Sequence, residues 1–115
     1  MPQNLDKDGL RSKINSYELF FIDIWGVIHN GLQIFEDSIE VLENLKKNNK
    51  EFVLLTNAPR PNSTVIDFLK KMGLKKFYEN VYTSGEASLK YLIENFLNSK
   101  FYHIGPPRDF DLFKR

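Results

Sequence analysis

The sequence predicts an α/β fold in which parallel strands alternate with helices. Two short apolar runs, residues 19–22 and 52–55, each end at polar residues, which is typical of strands buried on both faces of a parallel sheet. Between and after these runs, apolar residues recur at helical spacing. Strands and helices therefore alternate along the chain, and each connection is long enough for a right-handed crossover.

The segment after the first strand predicts a helix that begins near Asp37. Ile39, Leu42 and Leu45 form its apolar stripe. Acidic residues come first in this segment and lysines come last, an order that complements the helix dipole. Asp37 and Glu40 stand at the spacing of a capping box, so we expect Asp37 to cap the helix.

The second half of the chain predicts two more helices and two more strands. One helix ends before Gly73, a residue typical of the position just past a helix. The other follows a short strand at residues 81–83, where Thr83 and Glu86 form a second capping box. Residues 101–104 are predicted as a fourth strand, which a Gly-Pro-Pro sequence closes.

Length and composition limit the class of protein. A chain of 115 residues holds one domain, and its formal net charge of +1 gives no case for binding nucleic acid or an anionic membrane. It contains no cysteine, no secretory signal and no apolar run long enough to cross a bilayer, so we expect a cytoplasmic protein. The glycine-rich motifs of dinucleotide-binding and P-loop proteins are absent.

We divide the chain into three regions. Residues 1–17 are a polar lead-in, and residues 18–104 form a partial α/β core. Residues 105–115 begin a further region, in which the apolar positions of residues 110–113 indicate the first turns of a helix.

Polar residues at the ends of the first two strands are the candidate site. Ligands bind beyond the carboxyl ends of the strands in open parallel sheets, and Asp23 and the pair Thr56 and Asn57 lie there. A carboxylate held by a rigid strand can act as a nucleophile or a metal ligand, whereas it can also simply accept N–H bonds from the next turn. Thr56 and Asn57 could hold a phosphate oxygen or could only form a turn.

The two strand ends together resemble a known family. The segments FFIDIWGVIHNG and FVLLTNAPR resemble motifs I and II of the haloacid dehalogenase superfamily, in particular subclass IIA, which contains nucleotide and p-nitrophenyl phosphatases of the NagD type. The similarity continues through FLKKMGL, VYTSGEASLKYL and FYHIG, and it covers roughly residues 17–113. The resemblance implies the N-terminal half of a Rossmann-like three-layer sandwich, with residues 105–115 as the start of a cap.

The resemblance also implies roles for individual residues. Asp23 would attack phosphorus to form an aspartyl-phosphate and would bind Mg²⁺ through its other oxygen. Thr56 would hydrogen-bond a phosphoryl oxygen, and Asn57 would add backbone and indirect contacts. Trp25 occupies the position of a second aspartate; its backbone carbonyl could still bind Mg²⁺, but an indole cannot exchange a proton as a carboxyl group does. The usual general acid is therefore missing.

Three further residues have open roles. His29 could replace the missing acid because imidazole titrates near neutrality, although we expect an exposed histidine in the flap after the first strand. Arg60 is the cation nearest to the second motif, and we expect it to be solvated. His103 is interpreted as structural, and so is Trp25 if the flap packs down on it.

The resemblance leaves two functional hypotheses. The family also uses a motif III lysine and a motif IV acidic pair, which we expect to lie outside this chain, since Asp109 and Asp111 resemble that pair only superficially. The first hypothesis is a magnesium-dependent phosphohydrolase for a small phosphorylated metabolite, inactive as this chain alone, that self-associates or pairs with a separate C-terminal half. The second is a catalytically inactive remnant or interaction module that retains the fold.

Overall fold

A computed structural model describes residues 4–113 of the protein. In this part of the chain, three strands alternate with three α-helices, and short 3₁₀ turns lie between and around them. The elements in chain order are β1 (Leu19–Asp23), α1 (Glu36–Lys47), β2 (Glu51–Thr56), α2 (Asn62–Lys71), β3 (Val81–Thr83) and α3 (Ser84–Phe96). The 3₁₀ turns are Leu10–Ser12, Ile14–Ser16, Tyr78–Asn80 and Pro107–Phe113. The first and last regions assigned from the sequence extend into residues 1–3 and 114–115, which lie outside the described residues.

The three strands form one parallel sheet in the order β1-β2-β3. Asp23 pairs with Leu55, and Thr56 pairs with Thr83, so the carboxyl ends of all three strands meet at one edge. The predicted α/β class with a parallel sheet is confirmed. Asp23 and Thr56 also lie on neighbouring strands, as the candidate site requires.

The core lies between one face of the sheet and the first two helices. Phe52 and Leu54 of β2 point into it and meet Leu42 and Leu45 of α1 and Leu69 of α2, all of which are buried. Removing these side chains from water is the main favourable contribution to folding, at roughly 25 cal/mol per Å² of apolar surface. Exposed and half-buried residues alternate along β1, and buried and more exposed residues alternate along β2, because a strand has a two-residue period.

The helix ends differ partly from the predictions. The prediction that Asp37 caps α1 is wrong, because the helix begins at Glu36 and Phe35 takes the N-cap position without a side-chain cap. Asp37 instead lies in the first turn, where its charge still complements the helix dipole. The cap at Thr83 is confirmed, since its hydroxyl accepts a hydrogen bond from the N–H of Glu86. Gly73 follows α2 with a φ of +108°, which L side chains rarely adopt.

The predicted fourth strand at residues 101–104 is wrong: this segment has no regular secondary structure. Phe101 and His103 instead line a cavity of about 230 Å³ beside apolar residues of α3. A strand also needs ladder hydrogen bonds from a neighbour, which an apolar pattern does not supply: Tyr102 and Ile104 are 92% and 89% exposed, and only Phe101 and His103 face α3. His103, interpreted as structural, packs edge-on against Phe110.

None of the helices in residues 4–113 is long and apolar enough to span a membrane.

The second face of the sheet carries exposed apolar side chains. Leu19, Phe21, Leu55 and Tyr82 occupy it, and Phe21 is 69% exposed. An apolar group of this kind on one face often marks a contact with another polypeptide.

We expect the chain to self-associate through this face in a concentration-dependent way. Phe21→Lys should weaken the association, because a buried charge without a partner opposes contact, while the fold should survive because Phe21 is largely exposed. Sedimentation velocity over a concentration series measures the change. Leu32→Lys is the matched control, since Leu32 is 86% exposed and lies outside the sheet. Equal association of both variants would contradict the assignment of this face.

Candidate functional site

A crevice of about 540 Å³ opens at the carboxyl end of the sheet. It brings together the three side chains that the sequence singled out, Asp23, Thr56 and Asn57. Its other lining residues are Phe21, Leu55, Tyr82, Thr83, Ser84 and Ala87. Asp23 is the one charged residue among these lining residues. The crevice therefore offers a carboxylate, hydroxyls and an amide within a space suited to a small molecule.

The Asp23 carboxylate accepts a hydrogen bond from the following turn and still has an oxygen available for a ligand. One carboxylate oxygen, Oδ1, accepts a hydrogen bond of 2.9 Å from the N–H of Ile24. The second oxygen has no hydrogen-bond partner within residues 4–113, and the residue is exposed. One oxygen thus holds the side chain in place while the other can meet a ligand.

The Thr56 hydroxyl is positioned by the turn that follows β2. Its oxygen accepts a hydrogen bond of 3.3 Å from the N–H of Ala58. A hydroxyl that accepts one bond still has its own proton, so Thr56 can donate to an oxygen of a bound ligand. Asn57 follows directly and is exposed at the mouth of the same crevice.

A buried hydroxyl holds the loop after β2 against β3. Thr83 is completely buried; its hydroxyl donates to the carbonyl of Arg60 at 2.5 Å and accepts from the N–H of Glu86 at 2.8 Å. Asn62 adds two bonds: its Oδ1 accepts from the N–H of Thr83, and its own N–H donates to Glu86. These bonds connect the loop, β3 and the start of α3.

Gly85 allows the loop to approach α3 closely. Its N–H donates to the carbonyl of Ala58 at 3.0 Å. A Cβ at this position would collide with the backbone of Arg60, so a side chain here would push the loop away. The positions of Thr56 and Asn57 therefore depend on a glycine that comes 28 residues after Asn57.

Arg60 is not merely solvated but paired with a carboxylate, so that expectation was wrong. Its guanidinium lies 3.3 Å from Asp111 and is about one-third exposed. Asp111 also accepts a hydrogen bond of 2.6 Å from the hydroxyl of Thr64. Burial raises the pKa of Asp111, but the bonds from Thr64 and Arg60 outweigh it and hold the pKa below its ordinary value. Arg60 thus attaches the C-terminal turn to the loop before α2, Thr64 attaches it to α2, and Arg60 does not line the crevice.

Trp25 is exposed, and the flap does not bury it. The side chain is 63% exposed and is not among the residues that line the crevice. Its ring rests on Gly31, where a Cβ would lie only 2.5 Å from the indole atom Cη2. The condition under which Trp25 would be structural, a flap packed down on it, is therefore not met, because the side chain stays largely exposed although its ring contacts Gly31.

His29 is buried, so the expectation of an exposed flap histidine was wrong. It is 2% exposed and lies edge-on between the rings of Trp25 and Phe68. Its Nδ1 accepts a hydrogen bond of 2.8 Å from the N–H of Gly31. Burial lowers the pKa of His29 below its ordinary value of 6.5, which favours the neutral imidazole.

The donor set suits magnesium in kind but provides few ligands. Mg²⁺ prefers hard oxygen ligands in near-octahedral arrangement, and the Asp23 carboxylate is such a ligand. In the part of the chain that the structure describes, no group of three or more His, Cys, Asp or Glu side chains is placed to hold a metal ion. These residues could therefore contribute to a magnesium site but could not complete it.

Comparison with known proteins identifies the family. The model of the haloacid dehalogenase-like hydrolases matches residues 20–115, which is most of the chain. The chain belongs to this family. The expected similarity to subclass IIA, with its nucleotide and nitrophenyl phosphatases, is confirmed by the relatives that follow.

This haloacid dehalogenase-like chain is similar to three known proteins in sequence or in structure. The 5'-nucleotidase YutF of Bacillus subtilis is 25% identical over 93 residues, which are 80% of this chain and 36% of the relative. The crystal structure of a haloacid dehalogenase-like hydrolase from Brucella suis is 28% identical, with a TM-score of 0.76 over 98% of this chain and 41% of that one. The 4-nitrophenylphosphatase of Thermotoga maritima is 29% identical, with a TM-score of 0.71 over 87% and 39% of the two chains. The chain thus spans about two fifths of these relatives.

Sequence reasoning missed the residues that hold the site together. Asn62 was not singled out, although its side chain links the loop to β3 and α3. Asp111 was noted only for its resemblance to a motif, although it anchors Arg60. Neither contact has a local sequence signal, because the partners are 21 and 51 residues apart. The Thr83 and Glu86 capping box was the one signal available for this network.

Thr83→Val should destabilise the fold by about 2 kcal/mol, because it removes the bonds to Arg60 and Glu86 and leaves their groups unpaired. Urea unfolding measures the loss. Thr83→Ser, which retains the hydroxyl, is the matched control and should recover most of the stability. The amide signals of Thr56 and Asn57 should also shift in the valine variant only. A valine variant as stable as the serine variant would contradict this role.

The lowered pKa of His29 predicts an acid sensitivity. Because the folded pKa lies below that of the unfolded chain, the unfolded state binds the proton more tightly. The stability is therefore fully present above about pH 6.5 and is lost as the pH falls towards the lowered folded value.

His29→Gln should flatten the pH dependence of the unfolding free energy between about pH 7 and pH 5, because it removes the titrating ring but can still accept the bond from Gly31. Urea unfolding at a series of pH values gives the slope. An unchanged slope in the variant would show that His29 does not titrate with unfolding.

Proposed function

We propose that the chain carries the nucleophile of a phosphohydrolase that acts on a small phosphorylated metabolite. The observation that carries this proposal is the crevice in which the Asp23 carboxylate and the Thr56 hydroxyl border one space at adjacent strand ends. Membership of the haloacid dehalogenase-like hydrolases supports it. Two of the relatives are named as phosphate-ester hydrolases, a 5'-nucleotidase and a 4-nitrophenylphosphatase.

In the proposed reaction, the free oxygen of Asp23 attacks phosphorus and forms an aspartyl-phosphate. The bond from phosphorus to the ester oxygen breaks, and the leaving alcohol takes a proton from water, since Trp25 cannot supply one. The hydroxyl of Thr56 donates to a phosphoryl oxygen, and Asn57 contacts the same group from the loop. Water then hydrolyses the aspartyl-phosphate, which releases phosphate and restores Asp23.

Magnesium would be held by Asp23 and by the backbone carbonyl of Trp25. When bound, it supplies positive charge that offsets the negative charges of phosphate and carboxylate. The crevice itself has no such charge, because none of its lining residues is cationic. We propose that the remaining charge and metal ligands come from polypeptide outside this crevice, including a separate C-terminal half.

The proposal is tested with a chimera that places this chain in the matching part of the Thermotoga maritima 4-nitrophenylphosphatase. The chimera should hydrolyse 4-nitrophenyl phosphate with magnesium, and Asp23→Asn should lower turnover by at least 10³-fold, because the nucleophile is lost. Asp67→Asn, an exposed aspartate on α2, is the matched control and should retain activity. The chain alone should show no turnover that depends on Asp23.

Two outcomes favour the alternative of an inactive remnant or interaction module. One is a folded chimera without activity while the parent enzyme is active in the same assay. The other is activity that persists in the Asp23→Asn variant. Circular dichroism of each chimera separates these outcomes from a failure to fold.

The position of Trp25 gives a second kinetic prediction. In the active chimera, Trp25→Asp should raise the hydrolysis of esters with poor leaving groups, because a carboxyl group can protonate the departing oxygen, an effect of ~10²–10⁴-fold in rate. Esters with good leaving groups should gain less. Steady-state kinetics with an alkyl and a nitrophenyl phosphate measures the difference. An equal change for both esters would contradict the assignment of Trp25 to the general-acid position.

A further inference from the structure

An exposed aromatic ring stands beside the nucleophile without contributing to the core. Along the chain from Phe21, alternate residues are exposed, and this alternation continues through Asp23 to Trp25, while Ile24 between them is buried. Alternate exposure places the side chains of Asp23 and Trp25 on the same side of the backbone. Two residues of extended chain span about 7 Å, so the indole lies within reach of a group attached to a phosphate at Asp23.

Two residues that follow Trp25 in the chain hold its ring in place. Gly31 lies against the Cη2 end of the indole, and it has a φ of +89°, so no other residue fits there without strain. His29 meets the ring edge-on, with 5.0 Å between centroids and an angle of 85° between planes. The hydrogen bond from the N–H of Gly31 to Nδ1 of His29 joins the two supports. Trp25 is therefore held in one orientation with a free surface.

A pre-positioned indole is a good binding surface for a flat ring. Aromatic pairs in offset-stacked or edge-to-face contact are favoured beyond the area that they bury. Because the supporting residues already restrict the indole, a ligand that stacks on it does not have to restrict it again. An exposed tryptophan with no such partner would instead leave a large apolar surface in water.

We propose that Trp25 is a specificity-determining residue, on whose indole the planar ring of a phosphate ester stacks while the phosphate lies between Asp23 and Thr56. This inference rests on the proposed function. It assigns to Trp25 the recognition of the leaving group, a role separate from the proton transfer that an indole cannot perform. Esters with a flat aromatic group close to the phosphate are then preferred over aliphatic esters of similar size.

The test uses the fact that Trp25 is the sole tryptophan of the chain. Its fluorescence and its single indole N–H signal therefore report directly on this position. Phenyl phosphate and cyclohexyl phosphate, which have the same charged group and similar size, are titrated into the chain with magnesium, and inorganic phosphate is the third probe. Phenyl phosphate should bind about two- to tenfold more tightly and should shift the indole signal.

Variants separate stacking from phosphate binding. Trp25→Leu should abolish the preference for the phenyl ester without changing the binding of inorganic phosphate, and Trp25→Phe should retain part of the preference. Leu32→Ala, which truncates an exposed residue of the same flap, is the matched control and should retain all of it. In a parallel titration without magnesium, Asp23→Asn removes the charge that opposes phosphate, so it should tighten the binding of both esters and keep their ratio.

Two different results would overturn the inference. If inorganic phosphate shifts the amide signals of Thr56 and Asn57 but both esters bind equally and the indole signal does not move, stacking is refuted and the proposed function stands. If no phosphate compound shifts those amides in either the unmodified chain or the Asp23→Asn variant, the phosphate site fails, and the inference fails with it.

Discussion

The arrangement of the candidate site depends on one buried hydroxyl. Thr83 donates to the loop that follows β2 and accepts from the first turn of α3, so a single side chain joins two segments that are distant in sequence. Gly85 allows the close approach that these bonds need. Unpaired polar groups at this depth are costly, and the network therefore holds the loop of Thr56 and Asn57 in one position.

The pairing of the strands fixes the position of Asp23 relative to Thr56. Parallel pairing of β1 with β2 places Asp23 next to Leu55, one residue before Thr56, and a shift of one residue would turn the carboxylate to the opposite face. The apolar contacts of Phe52 and Leu54 with the first two helices fix that register. The position of Asp23, the proposed nucleophile, is thus a consequence of core packing, which also brings Thr56 to the same crevice.

Electrostatics and aromatic packing set what the crevice can do. Asp23 alone gives it a negative charge, so an anionic ligand needs positive charge from a metal ion or from another polypeptide. Beside it, His29 is buried and favours its neutral form, which suits a support for Trp25 better than an acid that shuttles protons. The exposed apolar face that includes Phe21 borders the same crevice. The proposed surface for a partner and the proposed surface for a ligand therefore meet at one edge of the sheet.

Local patterns in the sequence determined the strands, the helices, the cap at Thr83 and the strand-end positions of Asp23 and Thr56, because each depends on neighbours a few residues away. The tertiary structure decided the burial of His29, the exposure of Trp25 and the pairing of Arg60 with Asp111, which depend on residues that the fold brings together. It also decided that residues 101–104 do not form a strand. An apolar pattern can be satisfied by a helix or by a sheet, and only the complete packing of the chain selects between them.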